Sequence, residues 1–403
     1  MRSIALVTPN TDTFSNPTLL FLVRKLIDQN YKILFFGHKQ IFIPEEIKEK
    51  IELHSLPFNF ISFFGRPDSS RRPLDIVKLV KQYSKLYKLF RIKNKVKALL
   101  CIDPMGIVYG GRIKNLIDVK LIYISFEIFF ENEISNKEKK KVKFLEKEYS
   151  RKSEIIVIQD SEREKLLRSE NELGKDVKFM HIPVSPEKLN SGDKKSEVYF
   201  DLYKEFNIPE GKTIVIYSGS LQNWSGIKKI LELFPDKWDN ENWLLIHTHN
   251  DLPENNETKQ RIYKLIKDKR NISFHNKPFQ DFSEYAGFLS GCHIGLAVYF
   301  PNYEDSFSGK NVEEIGLSSG KFSTYIMLNK PTITTSNKIY KYLNENYNFG
   351  YIVDSVEEIN TGIRNIKKEY EIKTAGCDKL FREVLDPELR INNLTDLLNS
   401  YYR

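Results

Sequence analysis

Short apolar runs alternate along this chain with polar loops and with stretches in which apolar residues recur every three or four positions. Residues 4–7 are the first run, closed by Thr8-Pro9-Asn10-Thr11-Asp12. Over 17–30, Leu19, Leu22, Val23, Leu26 and Ile27 fall on one helical face, and 32–36 is a second run ended by Gly37. Strand, polar loop, helix, strand is how a doubly wound α/β domain opens. The alternation predicts further strands at 96–102, 120–125, 154–159 and 177–182, and helices at 74–97, 136–151 and about 161–168. Residues 183–212, rich in Ser, Pro, Asp, Glu and Lys, read as a connector. A second series follows. Strands are expected at 213–217, 243–246, 272–274, 294–299, 332–335 and 351–353. Helices are expected from Ile227 and at 282–289, 321–328, 356–371 and 378–400. The expected fold class is α/β, with two Rossmann-like doubly wound domains, 1–190 and 191–385.

Composition narrows this picture. The chain has 403 residues, 40% of them hydrophobic, with 27 Phe and 21 Tyr, which suits two packed cores rather than disorder. Cys101, Cys292 and Cys377 lack metal-type spacing and are too few for a disulfide framework, as expected of a reducing cytoplasm. No apolar run approaches the length of about 18 residues that a membrane span needs. Charge is uneven. Residues 1–190 carry 35 Lys and Arg against 24 Asp and Glu, a net +11, and the remainder carries −3. An anionic partner would therefore meet the first half. Phe58, Phe60, Phe63 and Phe64 precede Arg66, Arg71 and Arg72, and the helical stretch 74–97 is studded with lysines. Aromatic residues beside basic ones suit a bilayer interface, and a solvated basic face suits them equally. No nucleic-acid motif is present, and nucleic acid is not expected as a partner.

The chemistry-bearing residues cluster at strand ends. Gly316 to Gly320 is a small-residue loop entering a helix, and Lys321 follows it. Backbone N–H groups at a helix start, its dipole and a lysine together favour an anion such as a diphosphate; the same residues also fit an ordinary turn capped by Ser318 or Ser319. Gly219, Ser220 and Asn223 form a second such loop after residues 213–217. His247, two residues before His249 and four before Asp251, invites a metal reading, but no third His or Cys with plausible spacing is near, and no metal is expected. In the first half Asn10, Thr11 and Asp12, then Asp103, then Glu127 each follow a predicted strand, where α/β sheets place their ligands.

The spacing S-x-K-x-x-x-Y-x-x-x-x-K-P from Ser319 to Pro331, followed by an apolar strand, resembles the donor-binding segment of GT-B glycosyltransferases. The likeness is to the large retaining group of bacterial family 4-like, or group 1, enzymes of surface polysaccharide synthesis. The run I-Y-I-S-F-E-I-F resembles their acceptor-half motif, with Glu127 at its active position, and the order of elements extends the likeness over nearly the whole chain. The resemblance implies a GT-B fold with a central cleft and a C-terminal helix, 386–403, crossing back to the first domain. It implies a nucleotide-sugar donor held by Gly219, Ser220, Asn223, His247, Ser318, Ser319, Gly320, Lys321, Thr324 and Tyr325. Where the family often has a Glu for the donor ribose, this chain has Thr324. The acceptor, a glycan or a lipid-phosphate-linked saccharide, would meet Asn10, Thr11, Arg66, Arg71 and Arg72. Lys321 and nearby N–H groups would neutralise the leaving diphosphate without a metal ion. If configuration inverts, a carboxylate must take the acceptor proton: Glu127 first, then Asp103 and Asp12. If it is retained, Glu127 positions the sugar or acceptor. Hydrolysing sugar-nucleotide 2-epimerases share this fold and are the alternative activity, and a non-catalytic nucleotide-sugar-binding relative is a third reading. The expected setting is the cytoplasm, with peripheral contact to an anionic membrane through the basic half.

Overall fold

The computed structural model describes residues 2–38, 40–55, 84, 87, 90, 95–189, 200–234, 236–248, 253, 255–268, 270–303 and 307–403. Contacts divide the chain into two units, Met1–Ile182 with Pro387–Arg403, and Pro183–Asp386. The division falls at the start of the polar connector, ahead of the expected boundary at 190.

The first unit is built on β1 (Arg2–Val7), β2 (Tyr31–Gly37), β3 (Ile51–Ser55), β4 (Ala98–Ile102), β5 (Lys120–Ile124), β6 (Ile155–Ile158) and β7 (Phe179–His181). They form one parallel sheet in the order β3-β2-β1-β4-β5-β6-β7. Ala5 pairs with Leu99 and Leu99 with Leu121, so β4 is central, and all five of its residues are buried. Continuous apolar runs are what a parallel sheet covered on both faces requires. Helices α1 (Pro17–Asp28), α2 (Asp103–Lys114), α3 (Lys137–Ser150) and α4 (Ser161–Glu170) flank it. Asn16 caps α1, Asn136 caps α3 and Asp160 caps α4, each with its side-chain oxygen on first-turn N–H groups.

Two elements here differ from the sequence expectation. Strand β3, Ile-Glu-Leu-His-Ser, alternates polar residues with apolar ones and sits at the sheet edge. Helix α2 occupies a stretch to which the sequence assigned no element. Gly106, Gly110, Gly111 and Pro104 lower its intrinsic helicity, yet it is buried nearly throughout. The glycines are what let it pack: a Cβ on Gly110 would strike the Cys101 sulfur and one on Gly111 the Tyr149 ring. The basic helix α3 is also not wholly solvated. Lys143 and Glu146 are 1% and 0% exposed, their bridge closes at 3.2 Å, and Tyr123 donates to Glu146 at 2.9 Å.

The C-terminal helix α12 (Glu388–Ser400) belongs to this unit. It buries Ile391, Leu394 and Leu398. The Asn399 side-chain oxygen accepts from the Tyr31 hydroxyl at 2.9 Å, its amide donates to Gln29 at 3.0 Å, and the Tyr402 hydroxyl accepts from the Lys97 N–H at 3.1 Å.

The second unit carries β8 (Thr213–Ser218), β9 (Asn242–His247), β10 (Ile272–His275), β11 (Ile294–Ala297), β12 (Thr332–Thr335) and β13 (Gly350–Val353), parallel in the order β10-β9-β8-β11-β12-β13. Between them run α5 (Ile227–Leu231), α6 (Glu257–Lys267), α7 (Phe282–Ser290), α8 (Gly320–Met327) and α9 (Lys338–Tyr347), and α10 (Ile359–Lys368) and α11 (Tyr370–Leu380) follow β13. Two clusters of buried side chains form its core. The single helix expected over 378–400 is instead broken: α11 runs into a π turn at Phe381–Leu385, and Pro387, which cannot donate to a helix, separates it from α12. The helix expected over 356–371 likewise divides, into a short 3-10 turn, Val356–Glu358, followed by α10.

Candidate functional site

In the second unit β8 and β11 are neighbours although two strands separate them in sequence. The loop after β8 lies at this reversal of strand order, where α/β sheets bind ligands. It begins at Gly219, whose φ of +153° suits glycine. The Gly219 N–H donates to the His247 carbonyl at 3.0 Å, and the Tyr217 hydroxyl donates to the Ser220 carbonyl at 2.5 Å. Against it stands Lys321. A Cβ added at Gly219 would lie 3.1 Å from the Lys321 Cε and 3.4 Å from its Nζ, so the two loops picked out separately in the sequence meet here.

The Lys321 ammonium has a particular setting. Its nitrogen is buried although the residue is partly exposed, and among the described residues it has no hydrogen-bond partner. It sits 4.0 Å from the centroid of the Tyr217 ring and 4.9 Å from that of Tyr299, and cation–π attraction replaces an ion pair. Burial pushes its pKa down from 10.5 to about 7, because an unpaired charge is costly away from water. Lys321 lies in the first turn of α8. Ser319 is the N-cap, accepting from the Phe322 N–H at 3.0 Å and sharing a hydrogen bond with the Tyr299 hydroxyl. The Gly320 and Lys321 N–H groups open the helix without carbonyl partners inside it. Gly316–Ser318 forms a 3-10 turn held by the Tyr340 hydroxyl, which donates to the Gly316 carbonyl at 2.8 Å. An electropositive corner results, made of a lysine, a helix start and a glycine loop.

Several expected donor contacts turn inward. Tyr325 is 0% exposed, and its hydroxyl accepts from the Ser218 N–H at 2.8 Å, bracing the end of β8 from beneath. Thr324 is 5% exposed and donates to the Gly320 carbonyl at 2.8 Å. His247 is 2% exposed, in an aromatic cluster with His275, Phe279, Tyr285 and Phe288. It serves the loop through its backbone carbonyl. Ser220 and Ser318 are half-buried and Asn223 is exposed. Among the described residues no group of three His, Cys, Asp or Glu is placed to hold a metal. His249 and Asp251 lie outside the described residues, as do Arg66, Arg71 and Arg72. Tyr217, Tyr299 and Trp224, which stacks on Tyr299 at 6.3 Å, carry no sequence signal that separates them from ordinary core residues.

In the first unit the reversal lies between β1 and β4. Asn10, Asp103 and Glu127 follow β1, β4 and β5, and the sheet order brings them together. Asp103 Oδ1 accepts from the N–H groups of Phe126 at 2.8 Å and Glu127 at 3.0 Å, and Oδ2 accepts from Asn10 Nδ2 at 3.4 Å. Burial, with the Glu127 charge adding to it, raises the Asp103 carboxyl to about 7. Thr11 and Asp12 are exposed, and the Asp12 side chain makes no cap hydrogen bond.

No family model matches this chain, and no curated protein does. Solved structures do. Sucrose-phosphate synthase from Thermosynechococcus elongatus superimposes with a TM-score of 0.67 at 13% identity, over 100% of this chain and 99% of the other. Anabaena HepE, solved in complex with UDP-glucose, gives 0.69 at 11% identity over 99% and 100%. WaaG, a glycosyltransferase involved in lipopolysaccharide biosynthesis, gives 0.62 at 11% over 98% and 99%. At such identities the likeness is one of fold, and it extends over the full length of the chain: two parallel-sheet α/β units, the GT-B fold of these glycosyltransferases.

Proposed function

We propose that this protein is a glycosyltransferase that draws a glycosyl group from a nucleotide sugar and passes it to a glycan or lipid-linked saccharide. The observation that carries the reading is the convergence of the Gly219 loop, the start of α8 and the Lys321 ammonium, which has no hydrogen-bond partner among the described residues. A buried cation without a hydrogen-bond acceptor is a poor way to stabilise a fold and a good way to receive a diphosphate. The fold shared with HepE, solved with UDP-glucose, supports a nucleotide sugar as that ligand. Glycosyl transfer passes through an oxocarbenium-like transition state. The charge that develops on the leaving diphosphate is met by fixed donors already pointing at it. Lys321 and the N–H groups of Ser319, Gly320 and Ser220 fill that role without a metal ion. Glu127 takes the acceptor proton in an inverting transfer, or positions the sugar in a retaining one. The basic residues of 1–190 attract an anionic acceptor, a lipid phosphate at a membrane surface among them.

The test is thermal-shift binding of UDP, GDP, CDP, CMP and ADP without added metal, on wild type and on Lys321→Met, which keeps the aliphatic packing and removes the charge. One nucleotide should raise the transition, by about 2.7 kcal/mol at a hundredfold excess over its dissociation constant, and the variant should lose that gain. No shift with any nucleotide sinks the proposal. Release of an epimerised sugar from the matching donor would assign the 2-epimerase activity instead, and binding with no turnover a non-catalytic role.

A further inference from the structure

Asp103 combines three features that an ordinary surface aspartate lacks. Its φ is +58°, in the left-handed region that Asp and Asn tolerate better than other residues with a Cβ. It is only 9% exposed. Its two oxygens tie two loops to the start of α2: Oδ1 takes consecutive N–H groups at Phe126 and Glu127, and Oδ2 takes the Asn10 amide. The turn it grips is also held from behind. Arg163, 1% exposed, donates from NH2 to the Phe126 carbonyl and from Nε to Gln159, both at 2.8 Å. Gln159 in turn donates to the Ser125 carbonyl at 2.8 Å, and the Ser125 hydroxyl donates to the Glu127 carbonyl at 3.0 Å. The Phe126 and Glu127 N–H groups are taken by one carboxylate, and the Ser125 and Phe126 carbonyls by side chains that follow β6.

We propose that Asp103 is the positioning residue of this edge: it fixes the backbone of Glu127 and the side chain of Asn10, and does not itself exchange protons with substrate. A carboxylate spent on two backbone N–H groups and an amide is poorly placed to receive a proton from a third party. The charged and titratable groups around it are Glu127, Arg163 and the buried Tyr123 phenol. Burial and Glu127 favour the neutral form, whereas the two N–H groups and Arg163 favour the charged one. The catalytic consequence rests on the glycosyl-transfer reading, while the tie between the loops does not.

Asp103→Asn and Asp103→Ala separate the roles. Asn tolerates the left-handed backbone, keeps an oxygen for the Phe126 and Glu127 N–H groups, and cannot act as a base. Hydrogen exchange of those two amides, read on the full chain at a temperature where each variant is folded, decides the tie. Exchange should rise about tenfold or more in the Ala variant and stay within about threefold of wild type in the Asn variant. Equal protection in all three proteins, or equal loss in both variants, overturns the proposal. Turnover of UDP-glucose, or of the sugar donor matching the nucleotide that shifts the transition, is the second readout. The Asn variant should keep kcat within about fivefold and the Ala variant should lose about a hundredfold. Loss of kcat in the Asn variant with its amides still protected would make Asp103 the base and overturn the positioning role. Protected amides in the Asn variant, exchange in the Ala variant and no turnover by wild type would leave the tie standing and remove the transferase reading.

Discussion

In the proposed function Lys321 is the side chain that converts packing into binding. Its ammonium is held by the faces of Tyr217 and Tyr299 and, among the described residues, by nothing that accepts a hydrogen bond. The fold lowers its pKa to about 7 by burial. The contribution to stability is therefore full above the unfolded value near 10.5 and is lost as pH falls through about 7. A bound diphosphate reverses this preference, because it partners the charged form. Between pH 7.5 and 9.5, above the phosphate ionisations, nucleotide affinity should fall by up to about tenfold per pH unit in wild type, and should stay flat in Lys321→Arg, whose guanidinium remains charged. Titration calorimetry across that range checks it, and a flat wild-type profile would mean that the ammonium does not meet the ligand. The sequence pointed to Lys321 and Gly219, each beside a helix start. It carried no sign that Tyr325, Thr324 and His247 would turn inward, since periodicity does not tell a loop-facing hydroxyl from one that braces a strand.

At the scale of elements, α8 ties the site to the core. Its cap, Ser319, bonds the Phe322 N–H and the Tyr299 hydroxyl, so one residue holds both the helix start and a wall of the lysine cage. Ser319→Ala should cost about 1 kcal/mol, or a few degrees of melting temperature. It should also weaken nucleotide binding, and calorimetric melts with and without the nucleotide separate the two effects. Asn329, at φ +56°, ends the helix in the left-handed conformation that Asn accepts, which accounts for its place before Lys330-Pro331. Strands and amphipathic helices were readable because burial on a face repeats with a fixed period. Helix α2 was not, because its glycines look like breakers until the sheet against which they pack is known. The turn at Pro387 was readable in principle, since proline interrupts a helix wherever it falls inside one.

At the scale of the molecule, the contact division places α12 with the first unit although 204 residues of the second, Pro183–Asp386, intervene in the chain. Ile391, Leu394 and Leu398 together bury apolar surface worth about 4–9 kcal/mol, comparable to the whole stability of a domain. A chain ending at Asp386 should therefore lose the melting transition of the first unit and keep a nucleotide-responsive transition from the second. Differential scanning calorimetry with nucleotide present reads both, and an unchanged first transition would count against the role given to the helix. The alternation of apolar runs and helical faces, by itself, determined that this chain builds two parallel α/β units and which loops follow which strands, because local burial demands leave a periodic record. Only the tertiary structure decided which loops become neighbours. Strand order sets β1 beside β4 and β8 beside β11, and that order arises from the packing of segments distant in sequence. Through it Asn10, Asp103 and Glu127 meet at one edge and Gly219 meets Lys321 at another, juxtapositions that no local pattern encodes.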